Sequence, residues 1–100
     1  MSILTSGQRR YLRAQAHHLQ PVCFIGKNGI TDALVSAVNM ALDDHELIKV
    51  KFVDQKEEKK TLAPQLAELT KSELAGIIGN IAILYRQQSD EEKRTITLPD

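Results

Sequence analysis

The stretch from Thr31 to Val53 reads TDALVSAVNMALDDHELIKVKFV and predicts one helix followed at once by one strand. Thr31 is a good N-cap, and apolar residues then recur every three or four positions to about Asp44, the period of a helix with one buried face. From Leu47 to Val53, apolar residues alternate with lysines, which predicts a strand with a core face and a polar face. The apolar helix positions are Ala33, Leu34, Ala37, Val38, Ala41 and Leu42, and the solvated ones are Ser36, Asn39, Met40 and Asp43.

Before this stretch, the sequence predicts a helix with a basic side. Thr5 and Gln8 fit a capping box, in which each side chain accepts from the backbone amide of the other residue. We therefore expect a helix from about Ser6 to His18. Its narrow apolar stripe consists of Leu12, Ala16 and Leu19.

A short strand and a loop follow that helix. Pro21 ends the helix, because the residue before a proline avoids the helical backbone region. The apolar residues 22–25 predict a short buried strand, and residues 26–29 form a loop. Cys23 lies in the apolar run and is the only cysteine, so a buried thiol is a simpler interpretation than a nucleophile. One cysteine also excludes an internal disulfide and fits a reducing compartment.

A third helix lies somewhere between Lys56 and Lys71. Its buried stripe is predicted to be Leu62, Leu66 and Leu69. Pro64 fits only the first turn of a regular helix. The helix therefore either starts near Thr61 or starts after Asp54 and is kinked, and we favour the longer, kinked alternative.

The C-terminal third predicts two paired strands. Residues 74–78 and 81–86 flank Gly79-Asn80, a hairpin turn signal. Residues 87–94 form a charged loop, and Thr95–Leu98 predict a short final strand or strand extension. We predict one α/β domain spanning residues 1–100, in the order helix, strand, helix, strand, helix, strand, strand. Its mixed sheet has about four strands.

Composition narrows the class of protein. The 100 residues are 42% hydrophobic and 26% charged, which favours one folded globular domain over a disordered chain. No apolar run approaches the ~18 residues that cross a bilayer, and the first residues lack the stages of a secretory signal. We therefore expect a cytoplasmic protein without a membrane partner.

Charge is distributed unevenly along a chain whose net charge is zero. Residues 1–31 contain four basic residues and no acidic one, whereas the rest contains nine basic and thirteen acidic residues. Arg9, Arg13 and His17 share one helical ridge, with Arg10 beside them. No acidic residue offsets these charges, so an anionic partner explains them better than stability does. Chance segregation in a short segment is the alternative.

The sequence Gly26-Lys27-Asn28-Gly29 is the strongest candidate site. Glycines allow a sharp turn and a close approach by another backbone, and the next helix directs its free amides toward the loop. Such a site suits a phosphate, with Lys27 as a mobile charge and Asn28 as a possible donor. The loop alone is better explained as an ordinary structural turn, but together with the acid-free arginine ridge it favours a grip on a phosphate backbone.

Other residues have two interpretations each. Lys49 and Lys51 either extend the basic surface or lie on a solvated strand face. Arg86 follows Tyr85, and that tyrosine, like Tyr11, either stacks on a base or packs at a core edge.

We expect no enzyme activity, no metal, no cofactor and no small-molecule substrate. His17 and His18 are adjacent and project about 100° apart on a helix, so they form no shared site. His45-Glu46 lies at a helix-to-strand turn, where capping is the simpler role. No catalytic or nucleotide-binding motif is present.

The strings Gly26-Lys27-Asn28-Gly29-Ile30-Thr31 and His45-Glu46-Leu47-Ile48-Lys49-Val50-Lys51, with Gly79 and Leu84-Tyr85-Arg86, resemble the YhbY family. Its members are bacterial stand-alone forms of the chloroplast RNA splicing and ribosome maturation (CRM) domain. The resemblance extends from about Gly7 to Pro99. It implies a fold similar to the C-terminal domain of translation initiation factor three, RNA binding, and association with precursors of the large ribosomal subunit.

Two functional hypotheses follow. In the first, the protein binds RNA as an assembly factor, and the candidate contacts are Gly26, Lys27, Asn28, Gly29, Arg9, Arg10, Arg13, Lys49, Lys51 and Arg86. In the second, the protein docks on a ribosomal protein through acidic residues of its C-terminal part, which are Glu57, Glu58, Asp90, Glu91 and Glu92.

Overall fold

The computed structural model describes residues 4–99, which form three α-helices and four β-strands in the predicted order. In chain order the elements are α1 (Ser6–Gln15), β1 (Pro21–Ile25), α2 (Asp32–His45), β2 (Leu47–Phe52), α3 (Lys59–Leu69), β3 (Glu73–Ile78) and β4 (Ile81–Tyr85). Short 3₁₀ turns occur at Ala16–His18, Lys56–Glu58 and Glu91–Lys93.

The four strands form one mixed sheet in the order β1-β2-β4-β3. β1 and β2 are parallel, and α2 connects them, whereas β4 is antiparallel to both β2 and β3. The β3–β4 hairpin turns at Gly79-Asn80, and Gly79 has a φ of 60°, which favours glycine. The predicted α/β fold with a mixed four-stranded sheet is therefore confirmed.

α2 packs on one face of the sheet through a stripe narrower than its apolar period predicts. Thr31 caps the helix as expected, because its Oγ1 accepts from the amide of Leu34 at 3.1 Å. Ala33 and Ala37, which the period assigns to the apolar side, are exposed. The fully buried positions form a four-residue repeat, which is Leu34, Val38 and Leu42, and Val35 and Ala41 pack partly buried beside them.

α3 packs beside α2 and completes this larger core. The predicted stripe is wrong at Leu69, which is 52% exposed. The buried residues of the helix are Ala63, Leu66 and Ala67, all of which belong to the larger core. Helical turns begin at Lys56, close to the longer of the two predicted starts, and Pro64 lies inside α3.

α1 and the chain after β4 cover the opposite face. The capping box is confirmed, because Gln8 N donates to Thr5 Oγ1 at 3.0 Å and Thr5 N donates to Gln8 Oε1 at 3.1 Å. The predicted final strand is wrong, because residues 95–98 pair with no strand in the described part of the chain. They lie against a second core cluster of Leu4, Leu12, Ala16, Leu47, Ala75, Ile83 and Tyr85.

β1 is buried on one face only, which corrects the prediction of a buried strand. Cys23 and Ile25 face the larger core, whereas Val22 and Phe24 are 47% and 55% exposed on the α1 side. Leu19, expected in the apolar stripe of α1, is also exposed. α1 therefore leaves part of this sheet face open.

A buried carboxylate joins the C-terminal tail to the junction between α2 and β2. Glu46 caps α2 with a φ of 59° and is only 2% exposed. Its oxygens accept from the amides of Gln88 at 2.7 Å, Thr95 at 2.6 Å and Ile96 at 3.2 Å. Its backbone carbonyl accepts from the amide of Arg86 at 2.8 Å. This single side chain therefore fixes the path of the tail.

The same contacts make the fold sensitive to pH. Burial alone raises the pKa of the Glu46 carboxyl, but hydrogen bonds from Gln88, Thr95 and Ile96 stabilise the carboxylate and bring the pKa below its ordinary value. The unfolded chain titrates this group at about pH 4.3. The carboxylate therefore stabilises the fold above that pH, and this contribution is lost as the pH falls through the folded-state pKa.

We predict that Glu46→Gln lowers the free energy of unfolding at pH 7 by about 1–3 kcal/mol, because the glutamine nitrogen cannot accept these hydrogen bonds. Urea denaturation from pH 7 downward measures the effect, and the difference from wild type should shrink as the wild-type carboxylate protonates. Asp44→Asn, which changes an exposed neighbouring carboxylate, is the control and should have little effect. Equal losses in the two variants would contradict this role of Glu46.

Candidate functional site

The glycine loop follows β1 and is held by its own backbone. The Gly29 amide donates to the Gly26 carbonyl at 3.0 Å, which closes a tight turn. Gly29 has a φ of 68°, so glycine is favoured there. The Gly29 N–H is therefore not one of the free amides that this loop offers to a phosphate, because it is already bonded inside the loop.

The tip of the loop is open while its base is anchored. The Gln55 side chain donates to the carbonyl of Lys27 at 2.8 Å. The amides of Val53 and Asp54 both donate to the carbonyl of Ile25. Within residues 4–99, the amides of Lys27 and Asn28 and both of their exposed side chains make no hydrogen bond or ion pair. The tip therefore presents donors and one positive charge on a fixed support.

The two glycines of the loop differ in what they require. Position 29 favours glycine because its backbone is in the left-handed region, with a φ of 68°. Gly26 does not adopt a left-handed conformation, and a Cβ placed on it would meet no other atom within 4 Å. Nothing inside the described part of the protein therefore explains a glycine at position 26. A close approach by something outside the protein would explain it.

The predicted arginine ridge does not form one surface with the loop. Arg13 lies over β3, at the sheet edge opposite β1, and its Nη1 donates to the carbonyl of Ala75 at 2.8 Å. Its side chain covers Gly76 so closely that a Cβ there would lie 2.6 Å from Arg13 Cδ. Arg9 donates to the carbonyl of Leu4 at 2.7 Å and thereby closes the start of α1. Both arginines thus have structural partners.

Arg10 remains accessible on α1. Its side chain is exposed, and within residues 4–99 that side chain makes no hydrogen bond or ion pair. It lies three residues from Arg13, so the two share one side of the helix. Arg13 also keeps donors that its single bond to Ala75 does not use. α1 therefore offers positive charge at the β3 edge of the sheet.

The two lysines of β2 have different surroundings. Lys49 Nζ donates to the carbonyls of Leu19 at 3.0 Å and His17 at 3.4 Å, so it caps the end of the first helical segment. The side chain of Lys51 is exposed and, in the part of the chain that the structure describes, has no hydrogen bond or ion pair. Of the two, Lys51 is the one free to contact a partner.

Arg86 clamps the other face of the protein together. Its Nη1 donates to Asn39 Oδ1 at 2.8 Å and to the carbonyl of Thr70 at 2.6 Å. Its Nη2 donates to the Asn39 carbonyl at 3.0 Å and forms an ion pair with Asp43 at 2.8 Å. These bonds join α2, α3 and β4 at a distance from the glycine loop, so Arg86 has a structural role.

Two of the remaining candidate residues, Tyr85 and Cys23, are buried and therefore do not belong to an exposed site. Tyr85 is buried, and burial and the nearby Glu46 charge raise the pKa of its hydroxyl, so it offers no stacking surface. Cys23 is a free, buried thiol, and burial raises its pKa. The rings of His17 and His18 meet edge to face, 5.4 Å apart. Residues 4–99 contain no group of His, Cys, Asp and Glu side chains that could hold a metal ion.

One row of side chains crosses all four strands on the α1 side; it is exposed on β1, β2 and β3 and half-buried on β4. The strand registers pair Phe24 with Lys51, Lys51 with Ile81, and Ile81 with Ile78. We call these four residues the open row. The sequence analysis missed Phe24 because residues 22–25 are uniformly apolar, and that pattern does not show which side chains face the core.

The protein is a small α/β domain, with a mixed four-stranded sheet, two helices on one face, one on the other and a glycine loop after the first strand. The family described as the CRS1 / YhbY (CRM) domain matches residues 4–86. The chain belongs to this family, as the resemblance predicted.

Relatives extend over almost the whole chain. A Haemophilus influenzae protein named "RNA-binding protein" is 39% identical over 100 residues, covering 99% of this chain and 98% of the relative. The Bacillus subtilis "Probable RNA-binding protein YqeI" is 38% identical over 98 residues, covering 97% and 100%. The solution structure of a Staphylococcus aureus protein, described as a candidate RNA-binding protein, has a TM-score of 0.82 and 38% identity, covering 97% of this chain and 100% of that one.

The two loop glycines give a matched prediction. Gly29→Ala should lower the free energy of unfolding by about 1–2 kcal/mol, because alanine is strained at positive φ. Gly26→Ala should change it by less than about 0.5 kcal/mol, because the new methyl group meets open space. Urea denaturation of both variants measures the difference. A larger loss for Gly26→Ala than for Gly29→Ala would contradict this assignment.

Proposed function

We propose that this protein binds RNA in the cytoplasm and acts in assembly of the large ribosomal subunit, gripping RNA phosphates at Gly26–Gly29. The observation that carries the proposal is the open loop tip, where the amides and side chains of Lys27 and Asn28 have no partner within residues 4–99. The names of the relatives, which describe RNA-binding proteins, support the ligand class.

The loop chemistry suits a phosphate of the RNA backbone. The amides of Lys27 and Asn28 can donate to one phosphate oxygen each, and Lys27 Nζ adds a positive charge. Gly26 leaves room for the sugar-phosphate chain to approach the loop. Gln55 holds the loop from behind, so little loop entropy is lost on binding.

Positive charges at the loop and across the α1 side of the sheet define a modest electrostatic grip. The proposed phosphate contacts are Lys27, Lys51, Arg10 and Arg13, whereas Arg9, Lys49 and Arg86 stay in the structural roles described above. Four contacts predict a slope of log affinity against log salt of about −3 on single-stranded RNA. Because the net charge is zero, such a protein binds best where other contacts add to its affinity, as in a ribosomal precursor particle.

The acidic protein-docking alternative is less well supported. Glu57 and Glu58 lie in the turn after the far end of β2, whereas residues 90–92 lie between Gln88 and Thr95, which Glu46 holds at the start of β2. A six-residue strand is about 20 Å long. The two acidic groups are therefore at opposite ends of the sheet and do not form one docking surface.

We predict that Lys27→Glu weakens binding to fragments of large-subunit ribosomal RNA at least tenfold, because it replaces the loop cation with a charge that repels phosphate. Fluorescence anisotropy at two salt concentrations measures both the affinity and the salt slope. Lys60→Glu is the matched control, because Lys60 is exposed on α3, across the sheet from the open row.

Gly26→Ala provides a second, uncharged test in the same assay. It should weaken RNA binding while the fold keeps its stability, because the added methyl group would obstruct only a bound partner. Unchanged affinity in both Lys27→Glu and Gly26→Ala would reject the loop as the RNA grip.

The assembly role has its own prediction. On a sucrose gradient of cell extract, the wild-type chain should co-sediment with precursors of the large subunit, and Lys27→Glu should shift it to the top. Treating the extract with ribonuclease should release the wild-type chain as well. Wild-type chain found only in the soluble fractions would argue against the assembly role but not against RNA binding.

A further inference from the structure

The open row is an exposed apolar strip beside the glycine loop. Phe24 and Ile78 at its two ends are 55% and 56% exposed, and Lys51 between them is exposed as well. The neighbours of each row residue along its strand point into the core shared with α2 and α3, so the row faces the α1 side. α1 covers the next row of this face, which contains Ile83 and Gly76, and stops short of the open row.

The positive charges near the row favour a polyanion, rather than an apolar protein surface, as its binding partner. Lys27 lies three residues beyond Phe24, Lys51 lies in the middle, and Arg13 covers Gly76, two residues before Ile78. Three strand spacings of ~4.8 Å separate β1 from β3, so the row spans about 14 Å, with Lys27 beyond its β1 end and Arg13 near its β3 end. The row itself contains no carboxylate.

Phe24 is the residue that suits an unpaired base. A half-exposed aromatic ring on a sheet presents a flat face, and bases stack on such faces with little dependence on sequence. Paired bases in an RNA helix cannot reach the ring, because both of their faces are already stacked. Aliphatic neighbours such as Ile81 can contact the edge of a stacked base or its ribose.

We propose that the open row binds a single-stranded segment of RNA, with Phe24 stacking on one unpaired base while the adjacent glycine loop holds a phosphate. This inference rests on the RNA binding proposed above. It adds that the site selects single-stranded RNA over duplex RNA. The strand runs across the sheet from Lys27 toward Arg13. The site thereby distinguishes single strands from duplexes without reading base identity.

The test compares two substitutions at Phe24. Phe24→Leu keeps an apolar side chain but removes the ring, and Phe24→Trp keeps a ring. Each full-length variant is titrated into a ten-nucleotide single-stranded RNA carrying 2-aminopurine, and into the same strand annealed to its complement. Met40→Leu is the control, because Met40 is 68% exposed on α2, on the other face of the sheet.

Phe24→Leu should weaken single-strand binding roughly tenfold and reduce the quenching of 2-aminopurine, as expected for loss of one stacked base. Phe24→Trp should retain both signals, and Met40→Leu should match wild type. Duplex binding should be weaker than single-strand binding and should not depend on position 24.

Lys27→Glu in the same assay separates the two proposals. If Lys27→Glu weakens binding and Phe24→Leu does not, the open row carries no base and this inference is overturned, while the RNA grip at the loop stands. If Phe24→Leu weakens duplex and single-strand binding equally, the inference also fails. If neither variant changes the affinity, both proposals fail.

Discussion

The functional surface depends on how a four-stranded sheet is covered on its two faces. α2 and α3 together cover one face, whereas α1 has ten residues and is therefore about 15 Å long. That length covers the sheet near the start of β2 but leaves the row from Phe24 to Ile78 exposed. The glycine loop follows β1 at the same uncovered end, because it directly succeeds Ile25. The open sheet and the open loop are therefore neighbours as a consequence of the fold.

The string His45 to Lys51, on which much of the family resemblance depends, has mainly a structural explanation. Glu46 is buried and accepts hydrogen bonds from three amides of the tail. Lys49 caps the end of the first helical segment, and the apolar residues between them are core. Only Lys51 reaches outward without a partner in the described part of the chain. The family signature thus fixes the junction of α2 with β2, and the loop before α2 supplies the exposed chemistry.

The sequence predicted those elements whose pattern is local. α2 and β2 were predicted correctly because each has one clear period, and the capping box of α1 involves residues three positions apart. Features that depend on distant partners were missed. Arg13 bonds a carbonyl 62 positions away and Arg86 bonds one 47 positions away, and the sequence pattern indicated neither bond. Residues 95–98 alternate like a strand, but the carboxylate of Glu46 binds their backbone instead.

The central claim is that RNA meets this protein at the glycine loop and along the adjoining sheet face. The most direct test is a titration of the ¹⁵N-labelled protein with a single-stranded ribosomal RNA fragment, followed through its amide NMR signals. The account predicts that the largest shifts occur at Lys27, Asn28, Phe24 and Lys51, with smaller ones at Arg10 and Arg13. Signals of α3 and of the Arg86 clamp should stay in place. Shifts concentrated on α2, α3 or residues 90–92, with the loop unaffected, would contradict it.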